Sequence, residues 1–171
     1  TLAAVCRAAC AAGLTGLEFA YGIPGTLGGA VYMNAGAYGG EIKDALASAA
    51  FLDERLRLQT LPTPALALGY RTSVFETKNW CILEATFLLK PDPQGPAAVQ
   101  ARMEDFMARR RGKQPLDLPS AGSTFKRPQG AFAGQLIDQC GLRGFAVGGA
   151  AVSEKHCGFV VNKGGATCAD V

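Results

Sequence analysis

The 171-residue sequence has no uncharged apolar run of eighteen residues, so nothing in it reads as a membrane-spanning helix. Histidine is scarce. The single His156 sits in Lys155-His156-Cys157, and no G-x-S-x-G segment occurs, which removes a serine-histidine hydrolase triad. Six cysteines form no C-x-x-C pair and none stands at metal-ligand spacing from His156, so no metal site is expected. A strong excess of one charge is also missing, and a net +3 is too small for a nucleic-acid binder. There is no internal repeat and no low-complexity run. The chain opens at Thr1 with neither an initiator methionine nor a basic-then-apolar leader, and is expected to be a cut piece of a soluble cytosolic protein.

What is present is a 49% apolar composition, enough to bury a sizeable core in one domain or two small ones. Cys6, Cys10, Cys81, Cys140, Cys157 and Cys168 lie in alanine-rich or apolar surroundings and read as buried thiols. Leu2, Val5, Cys6 and Cys10 space a helix over 2–12, with Gly13 placed to end it. The glycine-rich stretch 22–40 is interleaved with Ile23, Leu27, Val31 and Met33, so it reads as a folded element and not a linker. Strands are expected at 47–52 and 56–61 around an Asp53-Glu54-Arg55 turn, and at 80–89. A short helix is expected over 62–68, and an amphipathic one carrying Val99, Met103, Phe106 and Met107 ends near Arg111. Pro115 and Pro119 mark a link into a second unit. There, strands are expected at 123–126, 145–152 and 158–162, with a helix over 133–140 closed by Gly141. The fold class is α+β, with domains at 1–111 and 112–171.

Several segments carry candidate chemistry. Gly22-Ile23-Pro24-Gly25-Thr26-Leu27-Gly28-Gly29-Ala30 places glycines where backbone turns sharply and a helix-like pattern begins, so its amides either cradle a diphosphate or form a close-packed turn. It matches neither G-x-G-x-x-G nor the Walker pattern. Arg71 is a permanent cation suited to a carboxylate, or else to a structural ion pair. Ser123 is a hydroxyl donor or a turn serine. Arg109, Arg110, Arg111 and Lys113 make a basic knot that fits a local anion site or the C-terminal end of a helix.

Taken in order, Gly22-Ile23-Pro24-Gly25, Met33-Asn34-Ala35-Gly36-Ala37-Tyr38-Gly39, Gly69-Tyr70-Arg71-Thr72-Ser73, Pro119-Ser120-Ala121-Gly122-Ser123-Thr124-Phe125-Lys126 and Val152-Ser153-Glu154-Lys155-His156 resemble the UDP-N-acetylenolpyruvoylglucosamine reductase (MurB) family. The resemblance implies the second part of a vanillyl-alcohol-oxidase/PCMH-like FAD-binding domain, followed by a small α+β substrate-binding domain truncated at its C-terminus. It implies reduction of UDP-N-acetylglucosamine enolpyruvate to UDP-N-acetylmuramate, with NADPH and FAD, by a monomeric cytoplasmic bacterial enzyme of peptidoglycan precursor synthesis.

By the same resemblance Arg71 and Ser123 are catalytic: Arg71 on the enolate and Ser123 as proton donor. Gly22, Ile23, Pro24, Gly25, Thr26, Gly28, Gly29, Ala30 and Arg110 bind FAD, while Tyr38, Lys113, Gln114, Lys126 and Arg127 bind substrate. Asn34 and Tyr38 are expected to face flavin or substrate. The sequence departs from the family in lacking its first FAD-binding lobe and its late L-E-x-E glutamate. Arg127 stands where many relatives carry asparagine, and no inserted tyrosine-bearing loop is seen, which points to the shorter subgroup. A different flavin oxidoreductase, or a non-enzymatic nucleotide-sugar-binding fragment, are the alternatives.

Overall fold

A computed structural model describes residues 1–171 and divides them into two compact units, Thr1–Ala108 and Arg109–Val171. In the first, α1 (Leu2–Ala11) starts at Thr1, whose hydroxyl accepts from the Ala4 amide at 3.3 Å. That contact satisfies one of the donors every helix start leaves open. The helix ends before Gly13 at φ +68 and buries Leu2, Cys6, Ala9 and Cys10. The ribbon of β1 (Leu14–Thr15) and β7 (Lys90–Pro91) follows it. Arg102, on α3 (Pro96–Lys113), ties that ribbon down by donating to the carboxylates of Glu18 and Asp92.

β4 (Leu46–Leu52) is the centre of a three-stranded antiparallel sheet, between β5 (Leu58–Pro62) and β6 (Cys81–Phe87). The turn joining β4 to β5 is built by Asp53, whose Oδ1 accepts from the amides of Arg55 and Arg57, both at 2.9 Å. A carboxylate that ties its own following backbone is what makes aspartate a turn former. Under the sheet, Phe51 stacks on Trp80 with centroids 4.4 Å apart and meets Phe75 edge-on at 5.3 Å. Leu2, Leu17, Val31, Ile42, Leu66 and Val99 complete a core from which solvent is excluded. Burial of each such side chain contributes roughly 1.5–3 kcal/mol before conformational entropy is counted.

In the second unit, four antiparallel strands lie in the order β8 (Ser120–Ser123), β11 (Phe159–Asn162), β10 (Ala150–Val152), β9 (Ala146–Val147). Ala151, Phe159 and Val161 form its small core with Leu118, while α4 (Ala133–Gln139) buries no residue. The molecule is thus mixed α and β. No helix is long and apolar enough to cross a membrane.

Four expectations need correction. The strand expected over 145–152 is a hairpin, because Gly148 at φ +51 and Gly149 turn the chain so that Val147 pairs with Ala150. The strand expected over 123–126 is instead Ser120–Ser123, since its partner β11 begins at Phe159, opposite Ser123, and only the Thr124 amide, bonded to the Gly158 carbonyl, continues the pairing. The short helix at 62–68 is a single 3-10 turn, Thr63–Leu66, stopped by Ala67 at φ +48. Of the six cysteines, Cys81, Cys140 and Cys168 are exposed, because Cys81 opens an outer strand, Cys140 ends the exposed α4 and Cys168 lies in the C-terminal turn.

Candidate functional site

The motif residues of the first unit gather around Asn34. It is fully buried and left-handed, at φ +43. Its Nδ2 donates to the Gly69 carbonyl at 2.8 Å and to Glu41 Oε2 at 3.1 Å, and its Oδ1 accepts from the Lys43 amide at 3.0 Å. Asparagine tolerates this backbone better than most residues and here uses both ends of its amide. Asn34 was expected to face a ligand. Its side chain is instead spent inside the protein, clamping the hairpin of β2 (Gly36–Ala37) and β3 (Gly40–Glu41) to the segment that carries Arg71.

Arg71 is itself left-handed, at φ +56, in a turn closed by the Gly69 and Thr72 main chains. Its Nη1 donates to the Asn34 carbonyl at 3.3 Å and its Nη2 to the Gly36 carbonyl, while Glu41 Oε1 lies 4.0 Å from Nη1. Tyr70 places its ring 4.9 Å from the guanidinium carbon. The cation is therefore fixed in direction, with its side chain 23% exposed and N–H groups left over for an anion. A side chain at position 36 is excluded, because its Cβ would stand 2.7 Å from the Gly40 carbonyl oxygen and 3.2 Å from Arg71 Nη1. Lys43 foremost, helped by Asn34 and Arg71 and opposed by burial, holds the Glu41 carboxyl below its ordinary range. Neither Glu41 nor the clamping role of Asn34 was visible in the sequence.

The glycine segment lies next to this network. Gly22 to Gly25 form an irregular turn, Thr26 caps α2 (Leu27–Tyr32) by accepting from the Gly29 amide at 3.1 Å, and Ala30 packs into the core. Pro24, Gly25, Thr26 and Gly29 are exposed, and nothing lies within 4 Å of where a Gly25 Cβ would be. Thr26 thus takes the Gly29 amide on its hydroxyl and the Ala30 amide on its carbonyl, and the space beside Gly25 at the start of α2 is open. At its other end, the Tyr32 carbonyl accepts from the Ser73 hydroxyl, joining α2 to the Arg71 segment. Tyr38, at φ +53, stacks on Phe106 with centroids 4.8 Å apart and remains 39% exposed.

In the second unit Ser123 is exposed at the end of β8, beside Gly158. Lys126 and Arg127 follow in the exposed loop, where the Arg127 guanidinium lies over the Phe132 ring at 4.4 Å. Arg110 is buried near the end of α3 and donates to Gln114 Oε1 at 3.1 Å, with Lys113 exposed between them. Lys155 donates to the Arg111 carbonyl at 2.7 Å, a cation at a helix C-terminus. No three His, Cys, Asp or Glu side chains gather as metal ligands.

Residues 114–171 match the family model described as UDP-N-acetylenolpyruvoylglucosamine reductase, C-terminal domain. The chain is 56% identical over 158 residues to the UDP-N-acetylenolpyruvoylglucosamine reductase of Lachnoclostridium phytofermentans, covering 92% of this chain and 50% of that protein. Against the protein of the same name from Agathobacter rectalis it is 56% identical over 170 residues, covering 99% and 54%. The crystal structure of the reductase from Thermus caldophilus superimposes with a TM-score of 0.88 at 37% identity, over 99% of this chain and 61% of that one. The chain spans about half the length of the curated relatives it matches. A fold shared across nearly all of its length, together with identity above one half, means that the chain belongs to the UDP-N-acetylenolpyruvoylglucosamine reductase family.

Proposed function

We propose that this chain is part of a flavin-dependent reductase that converts UDP-N-acetylglucosamine enolpyruvate to UDP-N-acetylmuramate in the cytoplasm, as a monomer supplying peptidoglycan synthesis. Residues 1–111 serve as the second part of a vanillyl-alcohol-oxidase-like FAD-binding domain, and residues 112–171 serve the substrate. The observation that carries this reading is the guanidinium of Arg71, fixed by the main-chain carbonyls of Asn34 and Gly36 within the motif residues that carry the resemblance to the family. When bound, FAD would carry a hydride from NADPH to the enolpyruvyl ether.

The protein's own groups do the rest. Adding hydride to the terminal carbon leaves negative charge on its neighbour and on the carboxylate, and a preoriented cation stabilises that charge without reorganising. Arg71 suits this because its direction is set by acceptors that do not move with substrate. Ser123 then gives its hydroxyl proton to the carbanion-like carbon, a step that needs an oriented donor and no prior ionisation. The start of α2, with Gly22, Ile23, Pro24, Gly25, Thr26, Gly28, Gly29 and Ala30 shaping the open turn before it, serves the FAD diphosphate, as does Arg110. Lys113, Gln114, Lys126 and Arg127 offer donors to the nucleotide-sugar phosphates, and Tyr38 offers an aromatic face.

The test is made in the complete protein that carries this chain, under anaerobic conditions, with Ser123→Ala. Bleaching of the flavin by NADPH is expected at the wild-type rate. Recovery of colour on adding the enolpyruvyl nucleotide sugar is expected to slow about a hundredfold or more, the usual worth of a positioned acid. Equal slowing of both halves, or of neither, overturns the role of Ser123.

A further inference from the structure

His156 packs on Gly158, the residue that also borders Ser123, and has no task in the reading above. It stands in the turn that leads into β11, where the buried Ser153 hydroxyl accepts from the amides of Lys155 at 3.2 Å and of His156 at 3.3 Å. The imidazole Nδ1 accepts from the Gly158 amide at 3.1 Å, and the ring meets Phe159 edge-on, with centroids 5.0 Å apart. A backbone amide can only donate. Nδ1 therefore carries no proton, and neutral His156 is the Nε2–H tautomer. Two glycines admit the ring: a Cβ at Gly158 would stand 2.9 Å from its Cε1, and one at Gly134 would stand 3.2 Å from the same atom.

The residue whose amide the imidazole holds also carries, on its following peptide, the carbonyl on which the end of β8 rests. The Gly158 carbonyl accepts from the Thr124 amide at 2.8 Å. The same Gly158 Cβ position lies 3.4 Å from Ser123 Oγ, and Phe159 is the register partner of Ser123. His156, Gly158 and Ser123 thus form a chain of contacts with no flexible side chain between the ring and the strand.

We propose that His156 is a positioning residue for Ser123: its unprotonated Nδ1 fixes the Gly158 amide, and the Gly158 carbonyl fixes the strand end that presents the hydroxyl. The proposal rests on the reading of Ser123 as proton donor. A donor acts only when held close to its productive geometry, and displacement by 1 Å costs on the order of a hundredfold.

The isosteres separate this role from simple packing. Asparagine at 156 keeps an acceptor near the place of Nδ1, whereas glutamine keeps a polar group near the place of Nε2 and loses that acceptor. In the complete flavin-loaded protein, His156→Gln is expected to slow flavin reoxidation by the enolpyruvyl nucleotide sugar about tenfold or more, with bleaching by NADPH unchanged, and His156→Asn is expected to restore most of the loss. In a Ser123→Ala background His156→Gln should slow reoxidation no further, because residues acting as one unit do not add. Equal effects of asparagine and glutamine, or further slowing in that background, overturn the proposal. Wild-type protein that NADPH bleaches but the nucleotide sugar does not reoxidise sinks the reductase reading instead. Independently of activity, nitrogen-15 shifts of the 171-residue chain are expected to give a pyridine-like Nδ1 and a pyrrole-like Nε2. The reverse pattern removes the acceptor and the proposal with it.

Discussion

Replacing Asn34 with alanine tests the clamp that holds Arg71, and the structure sets its size. The side chain has no exposure and makes three hydrogen bonds. Removing it strands the Gly69 carbonyl and the Lys43 amide, at about 1 kcal/mol each, and deletes a bond to the Glu41 carboxylate worth about 1.5 kcal/mol or more. Alanine at φ +43 adds about 1 kcal/mol of backbone strain. The sum is about 4.5 kcal/mol, a large part of the 5–15 kcal/mol typical of a folded protein. Urea unfolding of the 171-residue chain, followed by circular dichroism, should show the midpoint falling by the corresponding amount at unchanged slope. Asn34→Gly, which escapes the left-handed strain, is expected to lose less. A loss below about 1 kcal/mol for alanine would refute the claim that this side chain organises the hairpin and the Arg71 turn.

Acid should act through Glu18. Burial pushes its carboxyl up, but hydrogen bonds from Thr15, the Gly16 amide and Arg102 outweigh burial and leave it below its ordinary range. A lowered carboxylate gives stability that is present above the unfolded value of about 4.3 and is lost as pH falls through the folded value. Arg102→Met should therefore destabilise most at pH 7 and progressively less towards pH 3, measured as unfolding midpoints across that range. A difference that does not vary with pH speaks against the ion network. Burial pushes the Cys6 thiol up to about 11, and Cys10 and Cys157 are also buried. Titration with a disulfide reagent should find Cys81, Cys140 and Cys168 reactive in the folded chain and the other three only after denaturation. More than three fast thiols would contradict the burial described.

The sequence was most readable where one residue decides its own neighbourhood. Gly13 ends α1, and the Asp53 turn joins β4 to β5, because each acts on backbone a few residues away. The hairpin at Gly148-Gly149 was readable too, yet the apolar run 145–152 masked its glycine pair. Asn34 misled for a different reason. Its partner Gly69 lies thirty-five positions on, so the residue that looks like a ligand contact in sequence is a tertiary clamp in space. Ordered motifs named the family because each fixes a local shape. They could not place Glu41 beside Arg71, nor His156 behind Ser123.

Residues 162–170 pass over the Gly148-Gly149 turn almost backbone to backbone, with Lys163 donating to the Gly149 carbonyl at 2.9 Å and Asp170 accepting from the Gly149 amide at 3.3 Å. A Cβ on Gly149 would collide with the Gly164 carbonyl and the Ala166 amide. A substitution map of this turn should therefore show its strongest intolerance at two residues that carry no functional group at all. The solvent-facing side chains of Lys163 and Cys168, on the strand of chain pressed against that turn, should accept broad replacement. Two chains of this family could then differ at 163 and 168 and still dock that segment in the same way, provided Gly148, Gly149 and the left-handed Gly164 and Gly165 are kept.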